Sequence, residues 1–212
     1  MNSSSMKNLA RLSMWSKAMH SSFQYHQYLM KRQVLALTGK IRLYTPDERL
    51  VLYCQQKMFR LKEDIRVYAD EEMSQELLTI QARNIIDFAA AYDVIDCSSS
   101  ERVGVLRRKG FRSLLQDEWE ILDSQDNMVG ILREDNMTRA LLRRLLLGAL
   151  LPQDYDIVIG ETRVADLRQR FNLFRYEMDL DFSMDTVRRL DRRLGIAAAI
   201  LLGIIEGRQE SG

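Results

Sequence analysis

Histidine, cysteine and proline are each nearly missing from this 212-residue chain, which has two of each. Both histidines, His20 and His26, lie near the N-terminus, so no Ser-His-Asp or Cys-His set can be assembled within residues 27–212. The two cysteines, Cys54 and Cys97, are far apart and have no second Cys or His at ligand spacing. They offer neither a disulfide framework nor a zinc site, and they suit a reducing compartment. No Gly-rich phosphate loop and no dinucleotide fingerprint is present. The pairs Glu118 with Glu120 and Asp123 with Asp126 are the spacing that thirty acidic residues produce by chance, a poor basis for acid-base chemistry. A catalytic role is not expected, and no cofactor is implied.

Carboxylates are also missing from the first part of the chain. No Asp or Glu precedes Asp47, whereas Lys7, Arg11, Lys17, Lys31, Arg32, Lys40 and Arg42 all fall there. On a helical wheel Met6, Leu9, Leu12, Trp15, Met19 and Phe23 share one half, with Lys7, Arg11 and Lys17 on the other. Residues 1–28 are therefore expected to form a basic amphipathic arm, either one that lies on a membrane surface or serves as a transit peptide, or a mobile arm that packs loosely on the domain. No continuous apolar segment or small-residue cleavage site marks a secretory signal. The formal net charge is only +1, which gives no general argument for a nucleic-acid partner.

A bilayer-length apolar run is absent too. The greasiest segment, Leu194 to Ile205, is apolar on every side, but as a helix it would be only ~18 Å long against a hydrocarbon core of ~30 Å. Burial inside protein is the stronger reading, and the rest of the chain should then wrap around it.

The remaining sequence reads as that wrapping. From about Gln33 the hydrophobic period becomes two, with Leu35, Leu37, Ile41 and Leu43 before the turn chemistry of Thr45-Pro-Asp-Glu48, and Leu50 and Leu52 after it. Val94 to Leu106 and Ile121 to Leu132 repeat one pattern: an apolar pair, Asp, a polar turn, then Val-Gly-aliphatic-Leu. Val158 to Leu167 is a shorter relative. Recurring hairpins predict an antiparallel meander, and Gly104 and Gly130 should mark bulges or tight bends. Segments 65–69, 77–82 and 176–182 add further strands, for roughly ten to twelve in all. One outer helix is predicted over Thr138 to Leu150, with Leu141, Leu142, Leu145 and Leu146 on one side and Arg139, Arg143 and Arg144 on another.

So many strands predict a closed sheet, because closure removes exposed edges. Beyond about eight strands, inward side chains no longer fill a barrel. The apolar C-terminal helix has the shape to do so, since Gly195, Ala199, Gly203 and Gly207 form a smooth stripe every four residues. The expected fold is mainly β with α: an antiparallel barrel of about twelve strands over residues 29–209, enclosing a central helix at about 186–206.

The order of the hairpins, the stretch Gly110-Phe-Arg-Ser-Leu-Leu-Gln-Asp-Glu-Trp-Glu-Ile-Leu-Asp123, and Asp179-Leu-Asp-Phe-Ser183 leading into Leu190-Asp-Arg-Arg-Leu-Gly-Ile-Ala-Ala-Ala199 together resemble the Tubby C-terminal-like superfamily. Within it they are most similar to the LURP-one-related and phospholipid-scramblase-like branch in its bacterial form. The resemblance spans about Tyr28 to Gln209 and implies a twelve-stranded barrel around a hydrophobic helix. It also implies a binding role, because Tubby domains take phosphoinositide head groups, whereas scramblases are linked to calcium-dependent lipid movement. Where scramblases carry a calcium loop, this chain has Glu177, Asp179 and Asp181 alternating along a strand without an oxygen-rich turn, so calcium is not expected.

Two basic clusters are the candidate anion or lipid-head contacts: Arg107, Arg108 and Lys109 after a return strand, and Arg188, Arg189, Arg192 and Arg193 at the expected start of the terminal helix. Cations there oppose the helix dipole, so they need a compensating role. One is a collar paired with Asp185, Asp191 and nearby strand carboxylates. The other is a phosphate site, for which the arginine fork is suited. The expected function is a non-enzymatic cytoplasmic module, peripheral to membranes, that engages anionic phospholipid or a protein partner. The alternative is scramblase-like lipid transfer.

Overall fold

The computed structural model describes residues 19–33, 38–57, 64–83, 91–109, 118–134, 152–170 and 175–209. Alternation of inward apolar and outward polar residues draws these segments into twelve strands. They are β1 (Gln27–Gln33), β2 (Thr38–Tyr44), β3 (Leu50–Lys57), β4 (Ile65–Tyr68), β5 (Glu76–Ala82), β6 (Ala91–Asp96), β7 (Glu101–Arg108), β8 (Glu118–Leu122), β9 (Met128–Glu134), β10 (Asp154–Ile159), β11 (Thr162–Arg170) and β12 (Arg175–Asp181). Each strand pairs antiparallel with its sequence neighbours, and β12 returns to β1, so the sheet closes as an up-and-down barrel. Closure runs in register from Gln27 opposite Asp181 to Gln33 opposite Arg175.

The interior is filled by one helix, α1 (Arg192–Gln209). Every residue from Ile196 to Leu202 is buried, as required of a helix with no polar face. The small stripe works by close approach. A Cβ on Gly195 would lie 2.6 Å from the Phe182 ring, and one on Gly203 would lie 3.1 Å from the methyl of Met30. Arg32, also buried, reaches inward from β1 and donates from Nη1 to the Gly203 carbonyl at 2.8 Å. The first strand is thereby tied to the last helix.

The expected bulges occur. The register shifts beside Gly104, between Val94 and Ile95 on the facing strand, and beside Gly130, between Ile121 and Leu122. A side chain at Gly104 would meet the Leu122 carbonyl oxygen at 2.3 Å, so the sheet folds tightly there.

Two boundaries differ from the sequence expectation. Strand β1 begins at Gln27, and Ser21–Phe23 forms a short 3-10 turn whose Phe23 is fully buried. Met19 and Phe23 thus belong to the barrel's packing. The central helix begins at Arg192 rather than near 186, because the Asp185 carboxylate captures the amides of Arg189 and Leu190 at 2.8 and 3.0 Å and holds the chain in a turn. Leu35, Leu37 and the helix expected over Thr138 to Leu150 lie outside the described residues.

The meander places five hairpin turns and the β12-to-α1 connection at one mouth of the barrel, around the N-terminus of α1. No helix among the described residues is long and apolar enough to cross a membrane.

Candidate functional site

The two basic clusters meet different surroundings. Arg107 lies near the end of β7 and Lys109 just past it, facing Glu120 and Glu118 of β8. Arg107 Nε donates to Glu120 at 2.7 Å, and Lys109 Nζ pairs with Glu118. Arg107 and Glu120 are direct cross-strand partners, an arrangement that stabilises a sheet modestly. Arg108 is half-buried opposite Trp119 and also has an interaction partner. This cluster is a neutralised ladder on the outer wall.

The second cluster divides. Arg192 is buried beneath the Phe182 ring at 4.6 Å, donates to the Phe182 carbonyl at 3.2 Å, and lies 3.6 Å from Asp185. Burial pulls its pKa below the ordinary arginine value, with Asp185 opposing that shift. Arg193 bridges two carboxylates, with Nη1 to Asp96 at 2.7 Å and Nη2 to Asp191 at 2.6 Å. Burial would lower its pKa, but Asp191 and Asp96 raise it on balance. Asp191 also caps α1, accepting from the Arg193 amide at 2.9 Å. These two arginines form the paired collar, and Asp191 offsets the dipole penalty at the helix start.

Asp96 was not singled out from the sequence, although the hairpin repeat marks its position. Like Asp123 in the next hairpin, it closes its turn by accepting backbone amides, from Ser98 at 2.9 Å and Ser99 at 3.2 Å. Asp123 accepts from Gln125 and Asn127 in the same way. Asp96 alone of the two is buried and takes Arg193. Burial by itself would raise its pKa, but the bonds from Ser98, Arg193 and the Ser99 amide hold it below the usual carboxylate value.

Arg188 and Arg189 remain. They lie in the exposed segment 186–189, directly after buried Asp185. Arg189 reaches Thr162 Oγ1 at 3.0 Å. Neither makes an ion pair among the described residues. Arg188 has φ +50°, a left-handed conformation that the turn imposes. Beside them Val187 is 58% and Met184 36% exposed, two of the five large hydrophobic residues left exposed among the described residues. The segment Ser183–Arg189 therefore offers two exposed guanidinium groups without a carboxylate partner among the described residues, next to two apolar side chains.

Its setting sharpens the point. The turns at this mouth (residues 45–49, 69–75, 97–100, 123–127, 160–161 and 182–191) carry ten carboxylates and only three arginines, two of which are Arg188 and Arg189. The loop is a local basic spot in an acidic rim.

Among the described residues no group of three or more His, Cys, Asp or Glu side chains is placed to hold a metal. On β12, Asp179 is forked by Arg170 at 2.6 and 2.7 Å, and Asp181 accepts from Gln27 at 3.0 Å. His20 accepts from the Ser22 amide at the 3-10 turn.

Residues 50–203 match the family described as LURP-one-related. The match runs from the start of β3 into α1 and includes the hairpin repeats, the collar and the Ser183–Arg189 loop. No curated protein matches the chain.

Proposed function

Because the chain belongs to the LURP-one-related family, we propose that it is a non-enzymatic binding module whose Ser183–Arg189 loop takes a phosphate-bearing lipid head group at a membrane surface. The observation that carries this reading is the pair of exposed arginines without carboxylate partners, flanked by exposed Val187 and Met184. Arginine forks bind phosphate oxygens bidentately, and the two apolar side chains can enter the boundary below the head groups. The acidic rim disfavours close approach to a uniformly anionic bilayer, so a head group presenting several phosphates fits better than a diffuse negative surface.

Sedimentation with liposomes tests this. The protein should co-sediment with vesicles bearing phosphoinositides and stay in solution with neutral phosphatidylcholine. Arg188→Ala with Arg189→Ala should weaken the interaction about thirty-fold, at ~1 kcal/mol per arginine. Equal, negligible sedimentation with both vesicle types would overturn the proposal. An unchanged affinity in the double variant would move the site elsewhere.

The scramblase-like alternative requires α1 to leave the barrel. That would expose Ile196, Ile200, Leu201 and Leu202 and break the Arg193 bridge. A fluorescent-lipid flip assay that stays at the protein-free baseline, with and without calcium, excludes it.

A further inference from the structure

Arg189 is exposed, yet it is held at both ends. At the backbone, buried Asp185 accepts from its amide at 2.8 Å, and at the tip of the side chain Nη1 donates to Thr162 Oγ1 at 3.0 Å. An exposed arginine ordinarily loses much rotamer freedom when it grips an anion. The tie across to the next hairpin has already removed part of that freedom.

Thr162 opens β11 directly after the two-residue turn Gly160-Glu161, and it is exposed. Its one side-chain hydrogen bond among the described residues is the bond it accepts from Arg189. A hydroxyl offers two lone pairs and one proton, so the proton is still free to be donated outward. The Thr162 O–H and the remaining Arg189 N–H groups are therefore neighbouring donors. Glu161, one residue earlier, makes no ion pair among the described residues, and with Arg188 and Arg189 it leaves the exposed formal charge at +2 − 1 = +1. Such a spot attracts an anion more strongly the higher its charge.

Two guanidinium groups and one hydroxyl make three donor groups. A phosphate monoester has three terminal oxygens and a charge of about −1.5 to −2 at pH 7, whereas the diester joining an ordinary phospholipid head has two free oxygens and a single charge. The monoester matches both the number of donors and the charge.

We propose that Thr162 completes the anion site of the Ser183–Arg189 loop, and that the site selects a phosphate monoester over the phosphodiesters of a bilayer. Thr162 orients the Arg189 fork and donates its own proton to a phosphate oxygen. This selectivity rests on the head-group reading of the loop, and its test separates the two.

Sedimentation is compared on phosphatidylcholine vesicles doped with phosphatidic acid, a monoester, or with phosphatidylglycerol, a diester, at matched zeta potential. The native chain should bind the first several-fold more tightly. Thr162→Val keeps the side-chain shape without the hydroxyl, so it should lower affinity for phosphatidic acid several-fold and leave the weaker phosphatidylglycerol binding in place. Thr162→Ser should restore the preference, and both variants should melt with the native chain. Equal affinity for the two matched vesicles overturns the selectivity, as does a Thr162→Val chain that keeps the native preference. In either case, loss of binding on Arg188→Ala with Arg189→Ala leaves the lipid reading standing. The opposite split is read with soluble glycerol 3-phosphate, followed through the amide NMR shifts of Thr162 and Arg189. Saturable shifts that Thr162→Val weakens, without sedimentation on any vesicle, uphold the monoester site and overturn the membrane reading. Absence of both signals overturns both.

Discussion

Arg107-Arg-Lys109 and Arg188-Arg-Leu-Asp-Arg-Arg193 look alike as text and end in opposite circumstances. The first lies on a strand, where the period of two and the register of the neighbour decide everything. Glu118 and Glu120 on β8 have the same spacing and face Arg107 and Lys109, so the charges cancel where they stand. The second straddles a turn and a helix start. Its last two arginines are drawn inward to Asp96, Asp185 and Asp191, while its first two meet no carboxylate among the described residues and stay exposed. A basic run becomes a binding surface only where the fold withholds a carboxylate partner.

The largest effect expected from breaking this contrast is on the buried side. Arg193→Ala leaves Asp96 and Asp191 buried without their cation and should cost about 3–5 kcal/mol, read as a lower urea midpoint. Next comes Gly203→Leu, which forces a side chain against Met30, Tyr176 and Ile41 and should cost ~1–3 kcal/mol. An unchanged melting temperature would mean that α1 lies outside the barrel.

The Asp96 bridge should also show in the pH dependence. Its folded pKa is held below the ordinary carboxylate value, so its contribution is present above that ordinary value and is lost as pH falls through the folded one. The stability gap between the native chain and Asp96→Asn should narrow on acidification below about pH 4. A gap constant from pH 6 to pH 3 would contradict the assignment.

Smaller effects separate binding from stability. Arg188→Gly relieves the left-handed backbone and should stabilise by about 1 kcal/mol while weakening vesicle binding. Arg107→Ala should change stability by less than about 1 kcal/mol and leave vesicle binding untouched. Loss of binding in the Arg107 variant would erase the distinction between the clusters.

Much of the fold was legible because hairpins announce themselves locally. The repeats around Asp96 and Asp123, the glycines at the bulges and the all-round apolar helix each correspond to an observed element. Strand β1 was not legible as a strand. Its sequence Gln27 to Gln33 places Lys31 and Arg32 in succession, and Arg32 points inward, to a helix carbonyl that a linear pattern cannot display. The helix start was misplaced for a similar reason: Asp185 competes for amides through a turn whose geometry depends on the barrel rim. Of the candidate site, sequence supplied the residues but not their division. Which arginine is buried depends on carboxylates nearly a hundred positions away, as with Arg193 and Asp96.

The seam between β1 and β12 joins residues 154 positions apart, as in the bond from Gln27 to Asp181. During synthesis at about 5–20 residues per second, the first strand therefore waits many seconds for its partner, and the helix that fills the interior emerges after all twelve strands. Until the helix emerges, the strands already made can form only an open sheet with bare edges and an unfilled apolar face, the kind of surface that invites association. Shortening the chain before α1 should yield an aggregating product rather than a smaller barrel.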